Sequence, residues 1–171
     1  MSISYIIPSI NRKSLTDTIS SIEMQPGDEI CLEFDLPPTG KWGNPQRNRA
    51  MARAKGRFLA FIDDHDLYVK GHRQIMQTAI EANPGLPNLF RVQLSDGQVI
   101  WEKKELFPGN VTGIGLLIPN SSEMFNPWEE NRHLSDFLFI KNWKWPIKNL
   151  IWREEIIATA GNNDMGKGKH S

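Results

Sequence analysis

Three carboxylates stand within four positions: Asp63, Asp64 and Asp66, with His65 between the last two. Carboxylates packed this closely repel one another unless something positive neutralises them. A hard divalent cation carrying phosphates does so, because Mg²⁺ takes one or two carboxylates and fills its shell with phosphate oxygens and water. The acids follow an apolar, β-prone stretch, Phe58-Leu59-Ala60-Phe61-Ile62, which reads as a buried strand. The C-terminal end of such a strand is where open α/β sheets bind ligands. A solvated acidic turn capping the following helix would have the same composition. The surrounding elements have to decide between the two.

Residues 3–7 read as a first strand stopped by Pro8. Ser14 is placed to cap a helix with Leu15, Ile19 and Ile22 on one face, ended by Pro26-Gly27-Asp28. Residues 29–34 form a second strand, followed by a Pro- and Gly-rich loop over 35–43 in which Trp42 is exposed or clamped over something. Pro45 opens a second helix that carries Arg47, Asn48, Arg49 and Arg53 and stops at Gly56. The strand 57–62 comes next, then a helix over 71–81 broken by Asn83-Pro84-Gly85. This alternation predicts a Rossmann-like, mostly parallel sheet flanked by helices.

The second half changes character. Residues 89–94 and 98–102 read as two strands joined by Ser95-Asp96-Gly97, a hairpin signal. Residues 111–118 are apolar and contain Gly113 and Gly115, and residues 127–141 contain a helix pattern. Periodicity leaves 151–159 open between a strand and a short helix. The Gly-, Asn- and Lys-rich stretch 161–171 has the composition of a flexible tail.

A chain of 171 residues fits one compact domain, expected to divide into 1–80, 81–160 and the tail 161–171. Twenty basic and twenty acidic residues give zero formal charge, which argues against a broad nucleic-acid footprint but allows a local basic patch. Lys141, Lys144 and Lys148 with Trp143 and Trp145 are the candidate for such a patch. Cys31 is the only cysteine and sits in a strand pattern, so its expected role is packing in a reducing, cytoplasmic setting. No apolar run reaches the length of a membrane span, so no membrane insertion is expected, and the N-terminus reads as a strand instead of a signal peptide.

The order of these residues resembles the GT-A fold glycosyltransferases, above all the inverting family 2. Ser4-Tyr5-Ile6-Ile7-Pro8-Ser9-Ile10-Asn11-Arg12 is similar to the opening strand and loop of that family. Residues 43–56 (GNPQRNRAMARAKG) and 57–66 (RFLAFIDDHD) resemble its Arg-Asn helix and Asp-x-Asp strand. The likeness covers residues 3–80 and thins to isolated motifs beyond.

The resemblance implies a GT-A α/β fold with a small mixed acceptor-side sheet, a nucleotide-sugar donor (UDP-linked, by the family's habit) and a divalent Mn²⁺ or Mg²⁺ on its diphosphate. Pro8, Ser9, Asn11 and Arg12 would lie along the nucleoside, Asp35 would contact base or ribose, and Arg47 would approach the nucleotide or steady the acids. Asp64 and Asp66 are the expected metal pair; the alternative register starts at Asp63, a donor-side residue in either case, and puts His65 in the second place. Gly113 and Gly115 resemble the loop near the donor sugar, and His170 the late histidine on metal or diphosphate. Ser135-Asp136 resembles the acidic pair that starts the acceptor-side helix, with Ser where Glu is usual; Asp136 keeps the place of the catalytic base. The region after Phe34 departs from the family's paired acids, which leaves the nucleotide open.

The implied chemistry is glycosyl transfer with inversion to an acceptor hydroxyl. The acceptor is a glycan, a protein side chain or a modified nucleic-acid base. Trp101, Trp128, Trp143 and Trp145 would either wall off water or pack the core. The competing readings are a nucleotide-sugar binding module without turnover and a nucleotidyltransferase. The second usually carries a glycine-rich loop after strand one, which residues 8–13 lack.

Overall fold

The computed structural model describes residues 1–130 and 134–161. β1 (Ile3–Ser9) is buried along its whole length, as its largely apolar sequence suits a strand covered on both faces. α1 (Leu15–Ser20) is shorter than the Leu15-Ile19-Ile22 pattern implies, because Ser21 already caps it. Ser14 occupies the N-cap, but its hydroxyl makes no cap; it donates to the Asp64 carbonyl oxygen at 2.8 Å.

β2 (Glu29–Phe34) pairs parallel to β1 and buries Cys31. α2 (Asn44–Arg53) begins with Pro45 in its first turn, where a missing N–H costs nothing. β3 (Phe58–Phe61) pairs parallel to β1 on the other side. Between α2 and β3 the chain crosses β1 so closely that a Cβ on Gly56 would stand 2.5 Å from the Ser4 nitrogen. β4 (Leu67–Tyr68) and α3 (His72–Ala82) follow.

β5 (Asn88–Leu94) and β6 (Val99–Ile100) make the expected antiparallel hairpin, although the second strand spans only two residues of the expected five. A 3₁₀ turn (Gly113–Gly115) leads into β7 (Leu116–Pro119). α4 (Ser135–Lys141) supplies the helix expected within 127–141, but the described residues 127–130 before it are not helical. After a second 3₁₀ turn (Ile147–Asn149), residues 151–160 resolve the open choice as a strand, β8 (Ile151–Ala160).

The described residues build one eight-stranded sheet in the order β2-β1-β3-β7-β5-β8-β4, with β6 on β5. Its first arm, β2-β1-β3, is parallel; β7 then runs antiparallel to both β3 and β5, so the second arm is mixed. Strand alternation splits the core. Ile3, Tyr5 and Ile7 face Met76 and Ile80 of α3, whereas Ile6, Leu59 and Phe61 face α2, α4 and the tryptophans. Trp101, Trp128, Trp143 and Trp145 are all buried in that second core, so packing is their role. This also removes the candidate aromatic-basic patch: Lys141, Lys144 and Lys148 have no exposed indole from Trp143 or Trp145 to work with.

Candidate active site

The acidic run leaves the sheet where β3 ends, beside the C-terminal end of β1. α1 fixes its backbone from one side with a stripe of hydroxyls: Ser14 Oγ reaches the carbonyl of Asp64, Thr18 Oγ1 that of Asp66 (2.9 Å), and Ser21 Oγ accepts the Tyr68 N–H (3.0 Å). With the backbone held, the three acidic side chains go to three different places.

Asp64 turns back to the loop after β1. One oxygen accepts Ser9 Oγ (2.7 Å) and the Ile10 N–H (3.0 Å), and the other lies 3.2 Å from Arg12 Nε and 3.4 Å from His65 Nδ1. Burial alone would raise this carboxyl, but the bonds from His65, Ser9 and Ile10 outweigh it and hold it below the usual carboxylate range. His65 is raised in return, chiefly by its bond to Asp64. Asp66 turns to the C-terminal end of β8 and accepts the Gly161 N–H at 2.8 Å. It is 1 % exposed, and burial, followed by the charge of Asp63, pushes it up to about 7. Asp63 goes the third way, onto the guanidinium of Arg47.

Arg47 is the hub of the site. It is buried on α2, donates to Asn44 Oδ1 (2.9 Å) and the Trp42 carbonyl (2.7 Å), and lies 5.1 Å over the Trp128 ring. Asn48, one turn on, exchanges two bonds with the Trp128 backbone (2.9 and 2.8 Å), and Asn44 Nδ2 holds the Glu129 carbonyl at 2.8 Å. Trp128 in turn stacks on Phe139 of α4, ring centroids 4.1 Å apart. α2 and α4 are thereby clamped through one indole.

Asp136 lies in the first turn of α4 and accepts the Gly113 N–H at 2.9 Å. Burial raises its carboxyl above the ordinary value. Gly113 is required there, since a Cβ would stand 3.0 Å from Trp128 Cη2 and 3.4 Å from Asp136 Oδ1. Asp63, Arg47 and Asp136 line one cavity of about 280 Å³, whose mouth is formed by Trp42, Leu134 and Phe137.

The remaining expected residues fall in distinct places. Pro8 packs on Gly43, where a Cβ would lie 2.8 Å from it. Asn11, with φ +62°, donates its N–H to Ser9 Oγ (2.8 Å), and Asn11 and Arg12 are exposed. Asp35 is buried and spends one carboxylate oxygen on Thr39, its N–H at 2.9 Å and its hydroxyl at 3.0 Å. Gly115 faces β5, with a hypothetical Cβ 2.6 Å from the Phe90 carbonyl, so close packing requires it. Arg49 and Arg53 both pair with Glu33, and Arg53 also bonds the Leu32 carbonyl (2.6 Å) on the solvent side. His170 lies outside the described residues.

The pair Asp64 and Asp66 does not fit a shared cation site, because both are almost fully buried, their oxygens are held by Ser9, the Ile10 N–H and the Gly161 N–H, and the His65 ring lies between them, Nδ1 3.4 Å from Asp64 and Nε2 3.8 Å from Asp66. The more open members of the run are Asp63 and His65, each 29 % exposed at the side chain. Among the described residues no three His, Cys, Asp or Glu side chains gather as a metal cluster. The sequence did not show which backbone groups these asparagines and hydroxyls hold. Their signal was present: Asn44 and Asn48, like Ser14 and Thr18, are spaced four apart, on one side of their helices.

No protein-family model and no curated protein matches the chain. Solved structures do. S. aureus TarS 1-349 superposes with a TM-score of 0.70 at 17 % identity, covering 94 % of this chain and 60 % of that one. The same protein in complex with UDP-GlcNAc gives 0.71 at 16 % identity, over 96 % of this chain and 59 % of that one. The chain has a glycosyltransferase-type fold. The TarS-like likeness runs through both arms of the sheet, and this chain spans about 60 % of TarS 1-349 and 36 % of the longer TarS structure. No helix among the described residues is long and apolar enough to cross a membrane.

Proposed function

We propose that this protein is an inverting glycosyltransferase that moves a sugar from a UDP-linked donor to an acceptor hydroxyl. The observation that carries the reading is the shared cavity, in which a carboxylate lifted by burial, Asp136, stands with the Arg47–Asp63 pair at the C-terminal end of the parallel arm. The fold it shares with TarS, which has been crystallised with UDP-GlcNAc and with UDP, supports the choice of donor.

Asp136 accepts the proton of the acceptor hydroxyl as that oxygen bonds the anomeric carbon. The bond from that carbon to the diphosphate breaks on the opposite face, and the nucleoside diphosphate leaves with the electron pair. A carboxylate raised by burial suits the task, since a general base works best with its pKa nearer the operating pH. The Gly113 N–H orients Asp136, and Trp128 packs behind Gly113. Arg47 holds Asp63, and the exposed Arg12, paired with Asp64, would offer positive charge to a diphosphate.

A divalent cation, Mn²⁺ or Mg²⁺, would neutralise the leaving diphosphate as a Lewis acid. The side chains available to it are Asp63 and His65, the register that starts one residue before the Asp64–Asp66 pair. Calorimetric titration of UDP and UDP-GlcNAc, with Mn²⁺ and with a chelator, tests the assignment in Asp63→Ala and Asp64→Ala. A loss of affinity in Asp63→Ala supports it. Unchanged affinity there, or binding that ignores Asp63 and Arg47 alike, removes it.

A further inference from the structure

Two bulky apolar residues sit exposed at the mouth of the cavity on left-handed backbone. Trp42 has φ +57° and is 53 % exposed; Leu134 has φ +77° and is 47 % exposed. That conformation disfavours any residue with a Cβ and persists only where its surroundings over-determine it, as at ligand clamps. Here they do. The Trp42 carbonyl accepts Arg47 Nη1, the Asn44 N–H returns to the Lys41 carbonyl (3.1 Å), and Gly43 is packed on Pro8. The two sides of the mouth are tied together by Lys41 Nζ and Glu130 at 3.0 Å and by Asn44 and the Glu129 carbonyl.

From this geometry we infer that Trp42 and Leu134 form the acceptor subsite, and that the acceptor is a carbohydrate whose ring lies with its C–H face on the Trp42 indole. The inference deepens the transferase reading and rests on it. A pyranose has one face of C–H groups and a rim of hydroxyls; the face suits an indole and the rim suits a carboxylate. Leu134 and Phe137 flank Asp136 in sequence, so a ring seated against them brings a hydroxyl towards that carboxylate. The cavity, about 280 Å³, lies just below the range for drug-sized ligands and suits one ring. Among the described lining residues, Asp63 and Asp136 face one guanidinium that is already bonded, which favours a neutral acceptor over an anionic one.

The test is a titration followed by the indole N–H signals in nitrogen-15 spectra, with Trp42→Phe assigning the Trp42 resonance. Methyl β-glucoside and a disaccharide of it are added alone and after saturation with UDP, and uridine serves as the competing flat ligand. The expected result is a saturable shift of the Trp42 signal with the sugars, and a sugar affinity, read by calorimetry, that weakens about tenfold in Trp42→Ala as for a lost stacking contact. A signal that moves with uridine or UDP but not with sugar makes Trp42 a base platform and overturns the inference. So does a signal that no sugar moves while UDP still binds. Failure of UDP binding in the unmodified protein sinks the donor reading instead, and the two failures are thereby distinct.

Discussion

Arg47 and Asp63 are paired at the cavity, the guanidinium side chain 8 % exposed and the carboxylate 29 %. One side chain thus serves as counter-ion to an acid, as ceiling over Trp128 and as anchor for the Trp42 carbonyl. Replacing it with methionine leaves a half-buried carboxylate unpaired. The expected cost is about 2–4 kcal/mol, the scale for breaking a largely buried pair. Arg47→Lys should recover only part of it, because an ammonium cannot fork between several acceptors. Urea denaturation measures both, and a cost for Arg47→Met within ~0.5 kcal/mol, the range of ordinary surface changes, would contradict the assigned role.

Asp136→Asn should lower UDP release from UDP-GlcNAc by roughly 10²–10⁴-fold, the usual weight of a general base. UDP affinity should hold. Since burial raises the carboxyl, the rate of the unmodified protein should climb with pH through that raised value and then level off. A pH–rate profile flat from acid to neutral would speak against Asp136 as the base.

Asp66 and Asp64 should contribute to stability with opposite pH dependence. The folded value of Asp66, about 7, lies above the unfolded value of about 3.9. Its protonated form is therefore favoured by the fold, and stability falls as pH rises between those two values. Asp66→Asn keeps an acceptor for the Gly161 N–H and removes the buried charge. In chelator it should be the more stable protein at pH 8, by roughly 1–3 kcal/mol, with the difference vanishing towards pH 4. Asp64 is held below its ordinary value, so its contribution is present above the unfolded value and is lost as pH falls through the folded one. Thermal melts of Asp64→Asn and Asp66→Asn across pH give the two signs, and parallel curves would refute them.

Gly56→Ala and Gly113→Ala should separate folding from chemistry. At Gly56 the added carbon meets backbone, 2.5 Å from the Ser4 nitrogen, so α2 or β1 has to move. A loss of about 3 kcal/mol or more is expected, at or beyond the upper end for overpacking. At Gly113 the carbon meets the edge of an indole and the Asp136 carboxylate. A smaller loss of stability, about 1 kcal/mol, should accompany a marked loss of turnover. Equal stability losses in the two variants would contradict this division.

The parallel arm was legible because its signals are local. Residues 3–7, 29–34 and 57–62 are apolar runs bounded by turn residues, and Pro45 marks where α2 begins. The likeness read from sequence thinned after residue 80, whereas the structural match covers 94 % of the chain. The difference is physical: β7 and β8 take their places through long-range pairing with β3, β4 and β5, which no local pattern encodes. Within the acidic run, sequence could place three carboxylates at a strand end but could not say where each side chain turns. Ser9, Gly161 and Arg47, from three distant segments, make that choice. The helix expected within 127–141 is there as α4, but its start was not legible for a similar reason, since Trp128 is held by Asn48 across 80 positions and does not belong to the helix after it.

The antiparallel insertion of β7 has a mechanical outcome. It laces the parallel arm to the mixed arm along an unbroken ladder, so the two cannot swing apart about a hinge without rupturing a central strand. For the transferase proposed above, the framework beneath the cavity should therefore keep the same shape through the whole reaction cycle.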